Sequence, residues 1–228
     1  MKRLIICFIA LLICSGCAWF ETREDKPVNE LVSDGMEEYR RGNYKKSIEA
    51  FEKLKDWYPF SKYAMLAQLK IADAYFNLEE YEDAVFAYEE FENLHPRNEA
   101  VPYVVYQIGL SYFNQIDTPD RDQSTAKKAL DTFGRLLAQH PNNEYTNKAR
   151  ENIKKCLKSL SGHELYVGKY YYKNKYYKAA LSRFMTVLTK YPDVGVHYDA
   201  LQYIAVCEAT IKKLEEMPAL NPDGPSEK

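Results

Sequence analysis

The sequence predicts an all-α solenoid: about four helix pairs stacked in a row, closed by a single capping helix at the C-terminus. Three observations predict it. The stretch Lys62–Pro96 holds two amphipathic patterns of helical period, joined by a short polar turn at Asn77–Glu80. Small residues, Ala72 in the first pattern and Ala84 in the second, let the two helices approach closely, while Tyr75, Tyr88 and Phe91 fill the space beside them. The same arrangement recurs before and after, each copy ended by a proline: Pro59, Pro96, Pro141, Pro192. One such pair cannot bury its own apolar face, so neighbours are a physical requirement.

The spacing fits the tetratricopeptide pattern of Leu-Gly-x2-Tyr, then Ala-x3-Phe, then Pro. In the first repeat Gly35 takes the small position, Gly42-Asn43-Tyr44 the turn and Phe51 the second-helix aromatic, with Ser47 standing where Ala is expected. Lys62–Pro96 is the second. The third has Ile108-Gly109 and Tyr112, then Ala129 and Phe133. It is split by an insertion, Ile116 to Ser124, in which Pro119 breaks the helix and Asp122 or Ser124 caps the next one. Insertions of this kind fall in loops on one face, often a binding face. Glu144–Ser161 is helical in pattern but has no place in the basic unit; it is either an extra helix or an extension of the following one. Val167-Gly168, Tyr171, Ala180 and Phe184 make the fourth repeat, and Tyr198–Glu216 reads as the cap.

The ends read differently. Lys2 and Arg3 precede an apolar run, Leu4–Ile13, about half a bilayer core in length as a helix, which makes it a secretory signal and not a span. Cys14-Ser15-Gly16-Cys17 follows and resembles a bacterial lipobox, with Cys17 the acylated residue; an ordinary signal peptide cut nearby is the alternative. Multiple acyl chains hold a protein stably at a membrane. The expected boundaries are a lipoprotein signal peptide at 1–16, a lipid anchor and tether at 17–28, the repeat domain at 29–216 and a disordered tail, rich in Pro, Gly and charge, at 217–228.

Composition bounds the function. A formal net charge of −2 over 228 residues, without a basic stripe, speaks against a nucleic-acid partner. The 20 tyrosines read as inter-helix packing residues with a polar tip. Of the cysteines in the mature chain, Cys156 and Cys207 each lie on an apolar helical face and read as buried free thiols. No catalytic residue, metal site or cofactor is expected. His95 and His140 precede repeat-ending prolines, and His163-Glu164 lacks the second histidine of a zinc-protease motif because Val167 stands there.

A peptide groove is the better candidate. In tetratricopeptide arrays ligands usually lie along the surface formed by the first helices of successive repeats. Carried onto this sequence, that surface is Met36 and Tyr39, then Leu69, Asp73 and Phe76, then Tyr106, Leu110 and Phe113. It is aromatic and weakly charged, suited to an extended peptide with aromatic side chains. The alternative is that these side chains pack against neighbouring helices or the N-terminal segment.

Four segments together resemble the BamD family, lipoproteins of the outer-membrane β-barrel assembly machine: His163–Tyr171 leading into Tyr177–Phe184 and Tyr191-Pro192; Tyr58-Pro59-Phe60-Ser61; Gly109–Phe113 through Ile116; and Arg121-Asp122-Gln123. Gly168 departs from the family's Ala, and the last repeat lacks its second helix. The resemblance implies a non-enzymatic scaffold, lipid-anchored on the periplasmic side of the outer membrane. Its implied partners are the barrel-forming subunit BamA, accessory assembly lipoproteins, and unfolded outer-membrane proteins whose C-terminal signal meets the N-terminal repeats. Arg183 would contact BamA, or else form an ion pair within the chain. Asp120, Arg121, Asp122 and Gln123 form a second candidate contact, or else cap a helix locally. The competing reading is a periplasmic adaptor for peptidoglycan or polysaccharide-export machinery.

Overall fold

A computed structural model describes residues 26–216; the signal sequence, Cys17 with most of the tether, and the tail from 217 onward lie outside the described residues. Nine helices follow one another among the described residues. The first pair is α1 (Val28–Arg40) and α2 (Tyr44–Trp57), and the second α3 (Ala64–Asn77) and α4 (Tyr81–Leu94). The third is α5 (Val101–Asn114) and α6 (Ser124–Gln139), and the fourth α7 (Thr146–Lys173) and α8 (Tyr177–Lys190). The single α9 (His197–Glu216) covers the fourth pair. Each helix packs on the next in the chain, which is the tetratricopeptide solenoid.

The small residue of each first helix meets the aromatic ring of its partner. A methyl group built at Gly35 would sit 2.7 Å from the Phe51 ring, at Gly109 2.6 Å from Phe133, and at Gly168 2.5 Å from Phe184. Those distances are too short for carbon atoms, so the three rings lie where a Cβ would have been. Phe51, Phe133 and Phe184 are fully buried, each worth about 1.5–3 kcal/mol of transfer from water. Ser47, in the Ala slot of α2, is accommodated because its hydroxyl donates to the Gly35 carbonyl at 2.9 Å.

Three of the four within-pair turns share one geometry. The middle residue is left-handed: Gly42 at φ 79°, Glu79 at 61°, Lys175 at 62°. Two returning N–H bonds satisfy the last carbonyls of the first helix, for example Lys175 to Tyr172 and Tyr176 to Tyr171. The third pair has the insertion instead. The ambiguity over Glu144–Ser161 resolves as an extension: α7 runs unbroken for 28 residues, twice the length of its partner α8. Gly162 lies inside it, facing the ring of Pro119 in the insertion. Cys156 and Cys207 are buried free thiols in the third and fourth core clusters. Burial pushes the Cys156 thiol up to about 11.

Candidate functional site

The first helices of the first three pairs are joined by a polar strip centred on Asp73. This carboxylate, on α3, is only 4% exposed. It accepts from the Tyr88 hydroxyl of α4 at 2.8 Å, the Tyr103 hydroxyl of α5 at 2.7 Å and Lys70 at 2.7 Å. Gln107 donates in turn to the Tyr103 oxygen. On the other side Asn77 donates to the Tyr39 hydroxyl at 2.9 Å, and the Lys70 ammonium lies 4.8 Å from the Tyr39 ring centre. Burial, reinforced by the Asp73 charge, raises the pKa of all three phenols: Tyr39 to about 12, Tyr88 and Tyr103 well above the ordinary tyrosine value. They therefore stay protonated; Tyr88 and Tyr103 serve as donors to Asp73, while Tyr39 accepts from Asn77. Toward the third and fourth pairs the strip becomes aromatic, with Tyr145 stacked on Tyr106 at 5.1 Å and tilted against Tyr103 at 5.7 Å.

The expected groove residues fall in this region but in different environments. Met36 and Tyr39 are half-buried against the first core cluster, Leu69 and Phe76 against the second, and Tyr106, Leu110 and Phe113 against the third. Asp73 is enclosed and fully partnered, so it anchors the strip and does not offer its carboxylate to a ligand. Lys70, Asn77, Tyr103, Gln107 and Tyr145 belong to the strip and escaped the sequence reading. Their signal was weak: each is a polar or aromatic residue on a helix face where such residues are common, and their meeting depends on contacts across three pairs.

The insertion is a fixed loop. Asp122 Oδ1 accepts the Ser124 N–H at 2.9 Å, a turn just before α6, whose N-cap is Gln123 and not the expected Asp122 or Ser124. Gln123 is 5% exposed; its amide donates to the carbonyls of Thr118 and Arg121 and accepts from Ser159 on α7. His163 of α7 meets the Pro119 carbonyl at 2.6 Å. Gln123 thus holds the loop from within, while Asp120 and Arg121 stand exposed beside one another. Elsewhere, Arg183 of α8 donates to Glu164 of α7 at 3.0 Å, and this partner holds the guanidinium above its ordinary value.

A family model described as "YfiO: Outer membrane lipoprotein" matches residues 24–226. The chain belongs to the YfiO outer membrane lipoprotein family. Similar curated proteins are named outer membrane protein assembly factor BamD. That of Neisseria gonorrhoeae is 29% identical, over 95% of this chain and 86% of its own length. That of Rickettsia prowazekii is 30% identical, over 88% of this chain and 80% of its own. Among solved structures, the crystal structure of MamA protein aligns with a TM-score of 0.48 at 18% identity, covering 86% of this chain and 98% of that one. The resemblance read from His163–Pro192 and its companion segments is borne out.

For this YfiO family member, the segment that carries the resemblance is structurally busy. Gly168 receives the Phe184 ring, Glu164 holds Arg183, and His163 holds the inserted loop. Among the described residues no group of three or more His, Cys, Asp or Glu side chains is arranged to hold a metal ion. No described helix is long and apolar enough to cross a membrane.

Proposed function

We propose that this chain is a scaffold of β-barrel assembly, lipid-anchored through Cys17 on the periplasmic face of the outer membrane. The observation that carries the proposal is the YfiO match across residues 24–226, together with relatives named for outer membrane protein assembly. The chain acts by binding, not by catalysis. Its first-helix strip, from Met36 and Tyr39 through Leu69 and Phe76 to Tyr106, Leu110 and Phe113, receives extended aromatic segments of unfolded outer-membrane proteins. The rigid floor provided by Asp73 keeps these helices at fixed spacing, so the strip is preorganised and loses little freedom on binding.

The barrel-forming, BamA-like subunit docks on the C-terminal repeats. Arg183, partly exposed beside Glu164, supplies one charged contact there. Asp120, Arg121 and Asp122 supply another, held out by the buried Gln123. Accessory lipoproteins share the remaining surface. The test is affinity purification of the lipidated full chain from detergent-solubilised envelopes. A large β-barrel protein with periplasmic domains is expected to co-purify. Its absence, or recovery of wall-synthesis or export proteins instead, would overturn the proposal.

A further inference from the structure

Because α7 is twice as long as α8, its N-terminal half continues past the helix that should cover it. α8 pairs with the C-terminal half, where Gly168 and Glu164 meet Phe184 and Arg183. Beyond that, the α8–α9 loop touches α7 near Leu157 and leaves a recess of about 390 Å³ floored by Leu157, Pro192 and Val194. In an ordinary solenoid this side of a first helix would be buried and apolar. Here it is cationic: between residues 146 and 158 the helix carries Lys148, Arg150, Lys154, Lys155 and Lys158 against Glu151 alone.

These cations divide into two groups. Lys148 and Lys155 place their ammonium groups over the rings of Tyr145 and Phe113, although Lys155 also borders the recess. Arg150, Lys154 and Lys158 form one exposed stripe at successive helical turns, and no described carboxylate lies within ion-pair distance of them. Glu151, next to Arg150 in the chain, forms no ion pair with the stripe, and Asp193, which lines the recess, accepts the Gly195 N–H at Oδ1, so three cations stand against these two carboxylates. Like charges four residues apart on a helix repel one another. A stripe of three, unpaired and beside an apolar recess, is complementary to a partner that brings negative charge flanking an apolar group.

We propose that the exposed side of the N-terminal half of α7 is a docking site for an acidic polypeptide segment of a partner protein, with carboxylates on Arg150, Lys154 and Lys158 and an apolar side chain in the recess over Leu157. A polypeptide fits better than an anionic membrane surface, because the apolar floor lies in a concavity between helix and loop that a planar headgroup layer does not enter. The inference concerns partner chemistry and stands apart from the barrel-assembly reading.

The test is fluorescence anisotropy of the full chain in detergent with labelled synthetic peptides. A peptide alternating Glu and Leu is expected to bind in a salt-sensitive manner, one alternating Glu and Ser more weakly, and one alternating Lys and Leu not at all. The triple variant Arg150→Glu/Lys154→Glu/Lys158→Glu is expected to weaken the Glu/Leu peptide roughly tenfold or more, as the loss of three exposed pairs implies. The neutral variant Arg150→Gln/Lys154→Gln/Lys158→Gln should fall between and keeps the test valid if charge reversal unfolds the helix. Lys45→Glu/Lys46→Glu, on α2, should bind as the parent does. Failure of the Glu/Leu peptide to bind, or equal binding by the parent and both stripe variants, would overturn the proposal. So would preferential, stripe-dependent binding to phosphatidylglycerol-containing vesicles, which would make the surface a membrane contact.

Discussion

The second repeat and its three neighbours solve the same packing problem differently. In repeats one, three and four a phenylalanine ring presses on a glycine: Phe51 on Gly35, Phe133 on Gly109, Phe184 on Gly168. In the second the corresponding residues are Tyr88 and Ala72, and the ring's hydroxyl reaches the buried Asp73. Three repeats spend the slot on close approach alone. The second also uses it to satisfy a buried charge, and through Tyr103 that charge ties the second pair to the third. Within one array, then, the same position can set helix spacing or can hold adjacent pairs together.

Exchanging the two solutions should break the comparison most strongly where space is tightest. Phe133→Ala removes a fully buried ring and should cost about 3–5 kcal/mol in chemical denaturation. Gly168→Ala should cost about 1–3 kcal/mol by overpacking against Phe184, partly offset by alanine's better helix propensity. Ala72 is tolerated at the matching position, so the cost belongs to the Gly–Phe solution and not to the fold. A gain in stability at Gly168→Ala would contradict that.

An effect smaller than that of Phe133→Ala and comparable to that of Gly168→Ala is expected from the hydroxyl. Tyr88→Phe leaves Asp73 with one donor fewer and should cost about 1–3 kcal/mol. The pH dependence carries a signature. The raised phenols of Tyr39, Tyr88 and Tyr103 remain protonated in the folded chain where an unfolded one begins to ionise, near pH 10. Above that pH the folded state holds more protons, so stability is complete below about pH 10 and falls as pH rises. Urea titrations at increasing pH should show this decline, and Tyr88→Phe should flatten it. A decline of unchanged steepness in the variant would separate Tyr88 from the effect.

The smallest test concerns the turns. Lys175 holds the left-handed conformation that Gly42 holds in the first repeat. Lys175→Gly should therefore stabilise by roughly 0.5 kcal/mol, the steric relief exceeding the added freedom of the unfolded chain.

Much of this architecture was legible in the sequence because it depends on residues close together in the chain. A small residue, a turn and an aromatic fix a helix pair locally, and each of the four pairs was found that way. Three things were not legible. Whether Glu144–Ser161 stood alone or extended the next helix stayed open, because the pattern is helical on both sides of Gly162 and the choice is made by packing across α5, α6 and α8. Asp73 read as a surface residue because its burial comes from Tyr88 and Tyr103, one on the partner helix and one on the next pair. Gln123 was misplaced for the same reason: its shelter is Ser159 on a later helix. Aromatic positions such as Phe76 and Phe113 were correctly put on first helices, yet their half-burial in core clusters means that alanine there would loosen packing as well as the strip.

The central claim is that this scaffold serves the assembly of outer-membrane β-barrels. Its most direct test is depletion of the chain in its own cell, followed by quantification of folded barrels in the outer membrane by heat-modifiable mobility. The account predicts a broad loss of folded barrels across unrelated clients. Normal barrel levels accompanied by a defect in the cell wall or in polysaccharide export would contradict it.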